Sequence, residues 1–282
     1  MNILTFDIEE WFHILDNDST KTVKEWQQYE SRIHSNMDRI FKILEDTGVK
    51  ATFFCLGWIV EKYPDIIKDI INKGYEVGTH TVMHQLIYEQ NPKVFSRDIE
   101  RSIKYLEDIG GKKVRCFRAP GFSVREDNRW IFDILVNLGI SIDSSIFPAP
   151  RAHGGFSSYK TDNSALIQYD GIRLKEFPIS YANILGKPYA YSGGGYFRFF
   201  PYFCIKQWAK KSSYVMTYFH PRDFDTGQPM IKNLPLIRKF KSYVGISGAY
   251  KKLNRFLNDF EFVDIDGADK LIDWENARVI TI

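Results

Sequence analysis

Residues 51–84 read ATFFCLGWIVEKYPDIIKDIINKGYEVGTHTVMH. The stretch opens on a short run rich in aromatics, Ala51 to Leu56, with the composition of a buried strand. Apolar residues then recur at helical spacing from Ile59 to Ile71, with Pro64 in the early part and Gly74 just past the end, so one helix is expected there. Tyr75 to Val77 begins a second strand. A strand, a helix and a strand in so few residues form a βαβ unit, whose two strands lie parallel in one sheet.

The same alternation extends in both directions. Upstream, Asn2 to Phe6 is a short apolar strand ending in acids, and Ile33, Met37, Ile40, Phe41 and Leu44 mark a helix stopped by Gly48. Downstream, Phe95 to Leu106 reads as a helix closed by Gly110 and Gly111. Val114 to Phe117 reads as a strand and Trp130 to Leu138 as a helix. Ile140 to Ile142, Leu174 to Phe177 and Tyr214 to Phe219 read as further strands. That many repeats in 282 residues suit one α/β barrel. In such barrels chemistry gathers at the carboxyl ends of the strands.

Composition narrows the classes. Hydrophobic residues make up 44% and charged residues 26%, enough for a large core and unlike a disordered chain. Net charge is +3, from 38 Lys and Arg against 35 Asp and Glu, which gives no electrostatic case for nucleic acid as a partner. The short basic runs, Lys206 with Lys210 and Lys211, and Arg238 to Lys241, suit a solvated surface or a peripheral contact with anionic lipid. Three cysteines, Cys55, Cys116 and Cys204, show no disulfide pattern. No run approaches the ~20 apolar residues of a transmembrane helix. The N-terminus lacks the pattern of a secretory signal, so a cytoplasmic location is expected.

Four strand ends carry groups with chemical potential. The first holds Asp7 and Glu9, which share a face because side chains alternate along a strand. Another ends in His80 and His84, four residues apart and facing one way if the turn is helical; two imidazoles so placed suit one divalent cation. With a carboxylate they make a facial set that leaves positions open for water and substrate. A third end, from Arg118 to Ser123, offers a guanidinium fork that can pair with a strand-end carboxylate. Its Pro120–Gly121 turn can present backbone N–H groups to an oxyanion. The last carries His220 beside Asp223, a candidate general acid with a carboxylate to raise its pKa. Each has a plainer counterpart: an acidic loop, a chance HxxxH, a surface Arg in a turn, a structural His.

Taken in order, these segments resemble the polysaccharide deacetylases, the NodB-like carbohydrate esterases of family four. An acidic first strand end, HTxxH at His80 to His84, RxP at Arg118 to Pro120 and a late His220 span about three quarters of the chain. FDIEEWFH at Phe6 to His13, RAPGFS at Arg118 to Ser123, DSSIFP at Asp143 to Pro148, SGGGYFR at Ser192 to Arg198 and HPRDFD at His220 to Asp225 resemble the subgroup associated with exopolysaccharide and exosortase systems. The resemblance implies a distorted (β/α) barrel of seven or eight strands over residues 1–282, with a subgroup-specific extension from about residue 222. It implies a divalent metal, usually zinc, on Glu9, His80 and His84, with Asp7 as base, Arg118 orienting Asp7, and His220 as acid. It also implies that Gly121 and Phe122 help hold the oxyanion. The family usually has two adjacent Asp at the first strand end. Here Ile8 follows Asp7, so the ligand is Glu9 or Glu10, and the shared strand face favours Glu9.

The activity so implied is removal of an N-acetyl group from an amino sugar in cell-surface polysaccharide or lipopolysaccharide biosynthesis. The substrate would be an amino sugar or oligosaccharide, free or lipid-linked. Deformylation or cyclic-amide hydrolysis on a lipid-linked or small substrate is the alternative chemistry, and a non-catalytic carbohydrate-binding barrel the alternative class. The run from Tyr191 to Phe197, with its three glycines and Tyr196, reads as a flexible aromatic lip where a sugar ring could stack.

Overall fold

The computed structural model describes all residues except 16, 151 and 152. Its strands are β1 (Asn2–Ile3), β2 (Thr5–Ile8), β3 (Thr52–Cys55), β4 (Glu76–Thr79), β5 (Cys116–Phe117), β6 (Ile142–Asp143), β7 (Ala165–Tyr169), β8 (Ile172–Glu176), β9 (Ala182–Ile184), β10 (Lys187–Tyr189), β11 (Val215–Met216) and β12 (Val279–Thr281). The main sheet runs β12-β7-β8-β6-β5-β4-β3-β2. Neighbours from β2 through β8 are parallel; β7 pairs antiparallel with β8, and β12 lies parallel to β7.

A second set of contacts bends this sheet into a distorted barrel. The β11 strand lies parallel to β1, and the pairing continues upward. Thr217 N–H donates to the Ile3 carbonyl, Phe219 N–H to Thr5, and Asp7 N–H to Phe219. On the other side of β11 two serines stand in for a ladder. Ser180 Oγ accepts from Met216 N–H at 2.8 Å, and Ser192 Oγ donates to the Met216 carbonyl at 2.7 Å. Among the described residues, the parallel strands β2, β3, β4, β5, β6 and β8 together with the β1–β11 pair thus surround the interior, with β7 and β12 as a flank, which agrees with the barrel expected from the sequence.

Helices cover the outside, and their limits follow local chemistry. Ile33–Thr47 buries Met37, Ile40, Phe41 and Leu44 on one face and stops at Gly48, whose φ of 68° and N–H bond to Leu44 close the last turn. Pro92–Gly110 starts under the Asn91 side chain, which accepts from Val94 N–H. The single helix expected over Ile59–Ile71 is two, Gly57–Lys62 and Pro64–Asn72. Tyr63 between them is non-helical (φ −132°, ψ 61°), because the residue before a proline is pushed out of the helical region. The β7, β9, β10 and β12 strands were not expected; each is short or partly exposed and lacks a clean apolar pattern. Cys55 and Cys116 are buried free thiols.

Candidate active site

A cavity of about 460 Å³ opens at the carboxyl ends of the parallel strands. Asp7, Glu9, His80, His84 and His220 line its floor, and Gly121, Phe122, Tyr196, Phe199, Tyr218 and Phe240 stand among its walls. Barrel topology explains the convergence. The β2, β4 and β11 strands are far apart in sequence, but all point their last residues at one end.

Glu9, His80 and His84 each offer one ligand atom, and these atoms lie within 4.8 Å of one another. All three residues are buried. His84 Nε2 is 2.7 Å from Glu9 Oε2. His80 Nδ1 lies 2.7 Å from the Arg118 carbonyl, which can only accept, so Nδ1 carries the proton and Nε2 keeps its lone pair. Burial pushes the His80 imidazole down to about 4, leaving it neutral, as a ligand must be. Burial alone would raise the Glu9 pKa, but His84, with His220 and His13, outweighs it and holds the carboxyl low. A buried anion facing two imidazoles is the donor set of a borderline divalent ion such as zinc, so the residues present fit the metal.

The two histidines are not on a helical turn. Residues 80–86 form an irregular loop in which Thr81 has φ 66° and His84 has φ 52°. Both are non-glycine residues in the left-handed region, a strain that persists where surrounding contacts over-determine it. Here Thr81 Oγ1 accepts from His84 N–H, and Asp98 accepts from Val82 N–H at 2.8 Å.

Glu10 is committed elsewhere. Its carboxylate accepts from Arg32 N–H, Ile33 N–H and the Ser31 hydroxyl, which caps the start of the Ile33–Thr47 helix. Between the two acids, the cavity therefore has Glu9.

Asp7 and Arg118 form a buried ion pair at 2.7 Å. The rest of the guanidinium is used as well. Nη1 also donates to Thr5 Oγ1, Nη2 to Ser144 Oγ at 2.9 Å, and Nε to the Ser144 carbonyl at 3.2 Å. Next to it, Ser145 Oγ accepts from Ala119 N–H and donates to Asp143. Asp143 and Glu176 are register partners on β6 and β8, both fully buried. Burial raises both carboxyls, Asp143 to about 6, and the neighbouring Asp143 pushes Glu176 up further. These groups behind Arg118 were not singled out from the sequence, although DSSIFP was visible as a motif.

Across the cavity, His220 Nδ1 is 3.2 Å from Asp223 Oδ2, which turns Nε2 toward Glu9 Oε1 (3.6 Å) and Asp7 Oδ2 (3.8 Å). Burial would lower the His220 pKa, but Asp223, Glu9 and Asp7 raise it, to about 9. Arg198 lies 3.3 Å from Asp223 and completes the series. His13 also lines the cavity, packed against Trp26 and Trp58 with its Nδ1 accepting from Glu10 N–H; nothing in its spacing singled it out.

The aromatic lip differs from expectation. Tyr191 and Phe197 are buried in the core, and of the three named aromatics only Tyr196 lines the cavity. Nor is the glycine run a flexible lip. Gly194–Phe199 is a short helix, and a Cβ at Gly193 would lie 1.8 Å from the Tyr218 carbonyl. Glycine is required there so that this segment can pack against the last barrel strand. At the opposite wall Gly121 has φ 61°, the left-handed conformation that turns the chain after Pro120.

Residues 4–140 match the sequence model of the polysaccharide deacetylase family, and residues 144–270 match that of a domain of unknown function, DUF3473. Over 118 residues the chain is 29% identical to a peptidoglycan-N-acetylglucosamine deacetylase of Bacillus cereus, covering 38% of this chain and 43% of that protein. It is 29% identical over 120 residues to a chitooligosaccharide deacetylase of Azorhizobium caulinodans, covering 40% of this chain and 55% of the other. These matches span about half the length of the curated relatives. A crystal structure of a putative polysaccharide deacetylase from Mycobacterium smegmatis superposes with a TM-score of 0.68 at 16% identity, covering 100% of this chain and 92% of that one. Among the described residues no helix is long and apolar enough to cross a membrane.

Proposed function

We propose, from the match of residues 4–140 to the polysaccharide deacetylase family, that the protein is a metal-dependent hydrolase that removes the acetyl group from an N-acetylated amino sugar. The observation that carries the reading is the convergence of three sets on one cavity: a donor triad, a carboxylate held by an arginine, and a histidine held by a carboxylate. A binding-only barrel would have no use for all three.

In this reading Glu9, His80 and His84 hold a divalent ion, zinc being the best match to two imidazoles and a carboxylate. When bound, such an ion polarises an amide carbonyl and makes water acidic enough to attack at neutral pH. Asp7 is the base. Arg118 occupies its Oδ1, which fixes the carboxylate and leaves Oδ2 toward the cavity to take the proton of the attacking water. A C–O bond forms at the acetyl carbon, and the Gly121 N–H beside Phe122 donates to the developing oxyanion. His220, with Asp223 on Nδ1, gives the Nε2 proton to the amine nitrogen as the C–N bond breaks. The products are a free amino sugar and acetate.

Aromatic walls suit a sugar ring, and Tyr196 is placed to stack on it. We read the whole chain as one catalytic barrel in which residues from about 222 onward form an extension that builds the outer cavity wall; Phe240 and Lys241 line that wall. The motif set from Phe6 to Asp225 favours the exopolysaccharide-associated subgroup, and a substrate from cell-surface polysaccharide synthesis.

The test is acetate release from N-acetylhexosamine oligosaccharides by the purified protein, before and after chelation and zinc restoration. Chelator-sensitive, zinc-restored release supports the reading. Release of formate alone from N-formyl sugars would keep the chemistry and replace the substrate. Sugar binding without hydrolysis by the zinc-loaded protein would defeat it.

A further inference from the structure

The charge of this chain is unevenly placed. Residues 177–258 hold 13 Lys and Arg but only two acids, Asp223 and Asp225, while the remaining residues hold 25 Lys and Arg against 33 Asp and Glu. Both acids are buried and engaged inside the protein, Asp223 with Arg198 and His220, and Asp225 with Arg32. The outward-facing charge of this segment is therefore cationic.

Within it lies a helix, Leu236–Tyr243, that buries none of its residues. Leu236 is 84% exposed, Ile237 73% and Phe240 53%. These positions fall on one face, and Phe199, half exposed, meets Phe240 ring to ring at 5.5 Å. Lys239 and Lys241 flank them, and Lys232 lies just before the helix, all exposed.

A helix that buries nothing should fray, yet this one is anchored. Arg198, itself buried, donates to the carbonyls of Lys241 and Ser242, both at 2.9 Å. Arg238 donates to the Leu15 carbonyl at 3.0 Å, and Tyr243 Oη accepts from Ile231 N–H at 2.8 Å. The fold thus fixes the backbone while leaving large apolar side chains in solvent, an arrangement that makes sense when something covers them. Mixed Leu, Ile and Phe ringed by lysines match the boundary between acyl chains and anionic headgroups. A soluble glycan would use the cations but not the aliphatic side chains.

We infer that the Leu236–Tyr243 helix, with Phe199, docks on an anionic lipid bilayer. Phe240 and Lys241 also line the catalytic cavity, so docking brings its mouth to the headgroup layer. The bilayer contact does not depend on the deacetylase reading.

Co-sedimentation of the full chain with phosphatidylglycerol-containing vesicles and with pure phosphatidylcholine vesicles tests it. The protein should partition onto the anionic vesicles and be released by high salt. Leu236→Glu with Ile237→Glu should abolish partition, and Lys239→Gln should weaken it by about fivefold. These residues are exposed and outside the cavity, so melting temperature and metal content should match the parent. Equal partition on both vesicle types, no partition, or double-variant partition equal to the parent's would overturn the inference. So would a stable dimer in solution that the double variant dissociates, because a second copy would then be the cover. Partition is read without substrate, so its failure leaves the hydrolase reading standing, and the reverse.

Discussion

Asp7 Oδ1 sits 2.7 Å from Arg118 Nη1; the Arg118 side chain is fully buried, and Asp7 meets only the cavity. The ion pair ties the end of β2 to the end of β5, and Ser144 holds the other edge of the guanidinium. Removing one partner leaves a buried charge alone, which costs about 3–5 kcal/mol. Arg118→Met is expected to lower the melting temperature markedly and abolish turnover. Asp7→Asn keeps the shape but cannot take a proton, so its turnover should fall ~10²–10⁴-fold with the metal retained. Calorimetry, metal analysis and steady-state rates check both; Asp7→Asn turnover near the parent's would remove Asp7 as base.

The two acids beside Asp7 should behave oppositely. Glu9→Gln, His80→Ala and His84→Ala are each expected to lose most bound zinc. Glu10→Gln should keep it and instead weaken the cap of the Ile33–Thr47 helix by about 0.5–2 kcal/mol. Elemental analysis beside thermal melts separates the cases. Zinc loss in Glu10→Gln with retention in Glu9→Gln would exchange their assignments.

A pH dependence follows from Asp143 and Glu176. Both carboxyls are raised in the folded protein, Asp143 to about 6 from an ordinary 3.8, because burial opposes ionisation and, for Glu176, the adjacent Asp143 opposes it further. A raised folded pKa contributes stability that is complete below the unfolded value and lost as pH climbs through the folded one. Stability from this pair should therefore decline between about pH 4 and 6 and onward through the Glu176 titration. Glu176→Gln mimics the protonated acid and should flatten that decline at neutral and higher pH. Denaturant melts at several pH values would show it, and parallel curves for parent and variant would contradict it.

Gly193→Ala tests the packing of the short helix at the cavity wall. Its Cβ would fall 1.8 Å from the Tyr218 carbonyl, on backbone that cannot swing aside. Overpacking of this kind costs about 1–3 kcal/mol, and Tyr218 stands two residues before His220. We expect a lower melting temperature together with a reduced rate. A variant as stable and active as the parent would show that the segment adjusts freely.

The sequence by itself determined the parallel architecture and which candidate groups stand at the strand ends. Period-2 and period-3.6 patterns are local, and residues such as Asp7, His80, Arg118 and His220 stand where those patterns break. Periodicity could not say that Tyr63 splits a helix, because one proline fits either a kink or a new start. Nor could it find β9, β10 or β12, whose strand identity comes from partners elsewhere in the chain. Strand alternation favoured Glu9 over Glu10, but what Glu10 does instead belonged to tertiary structure alone. The two are adjacent in sequence, and only the position of the Arg32–Ile33 amides shows that Glu10 is spent on a helix cap. The burial of Tyr191 and Phe197, and the exposure of Leu236 and Ile237, are of the same kind. An apolar side chain has the same chemistry inside or outside, and only the packing of the other elements decides which it will be.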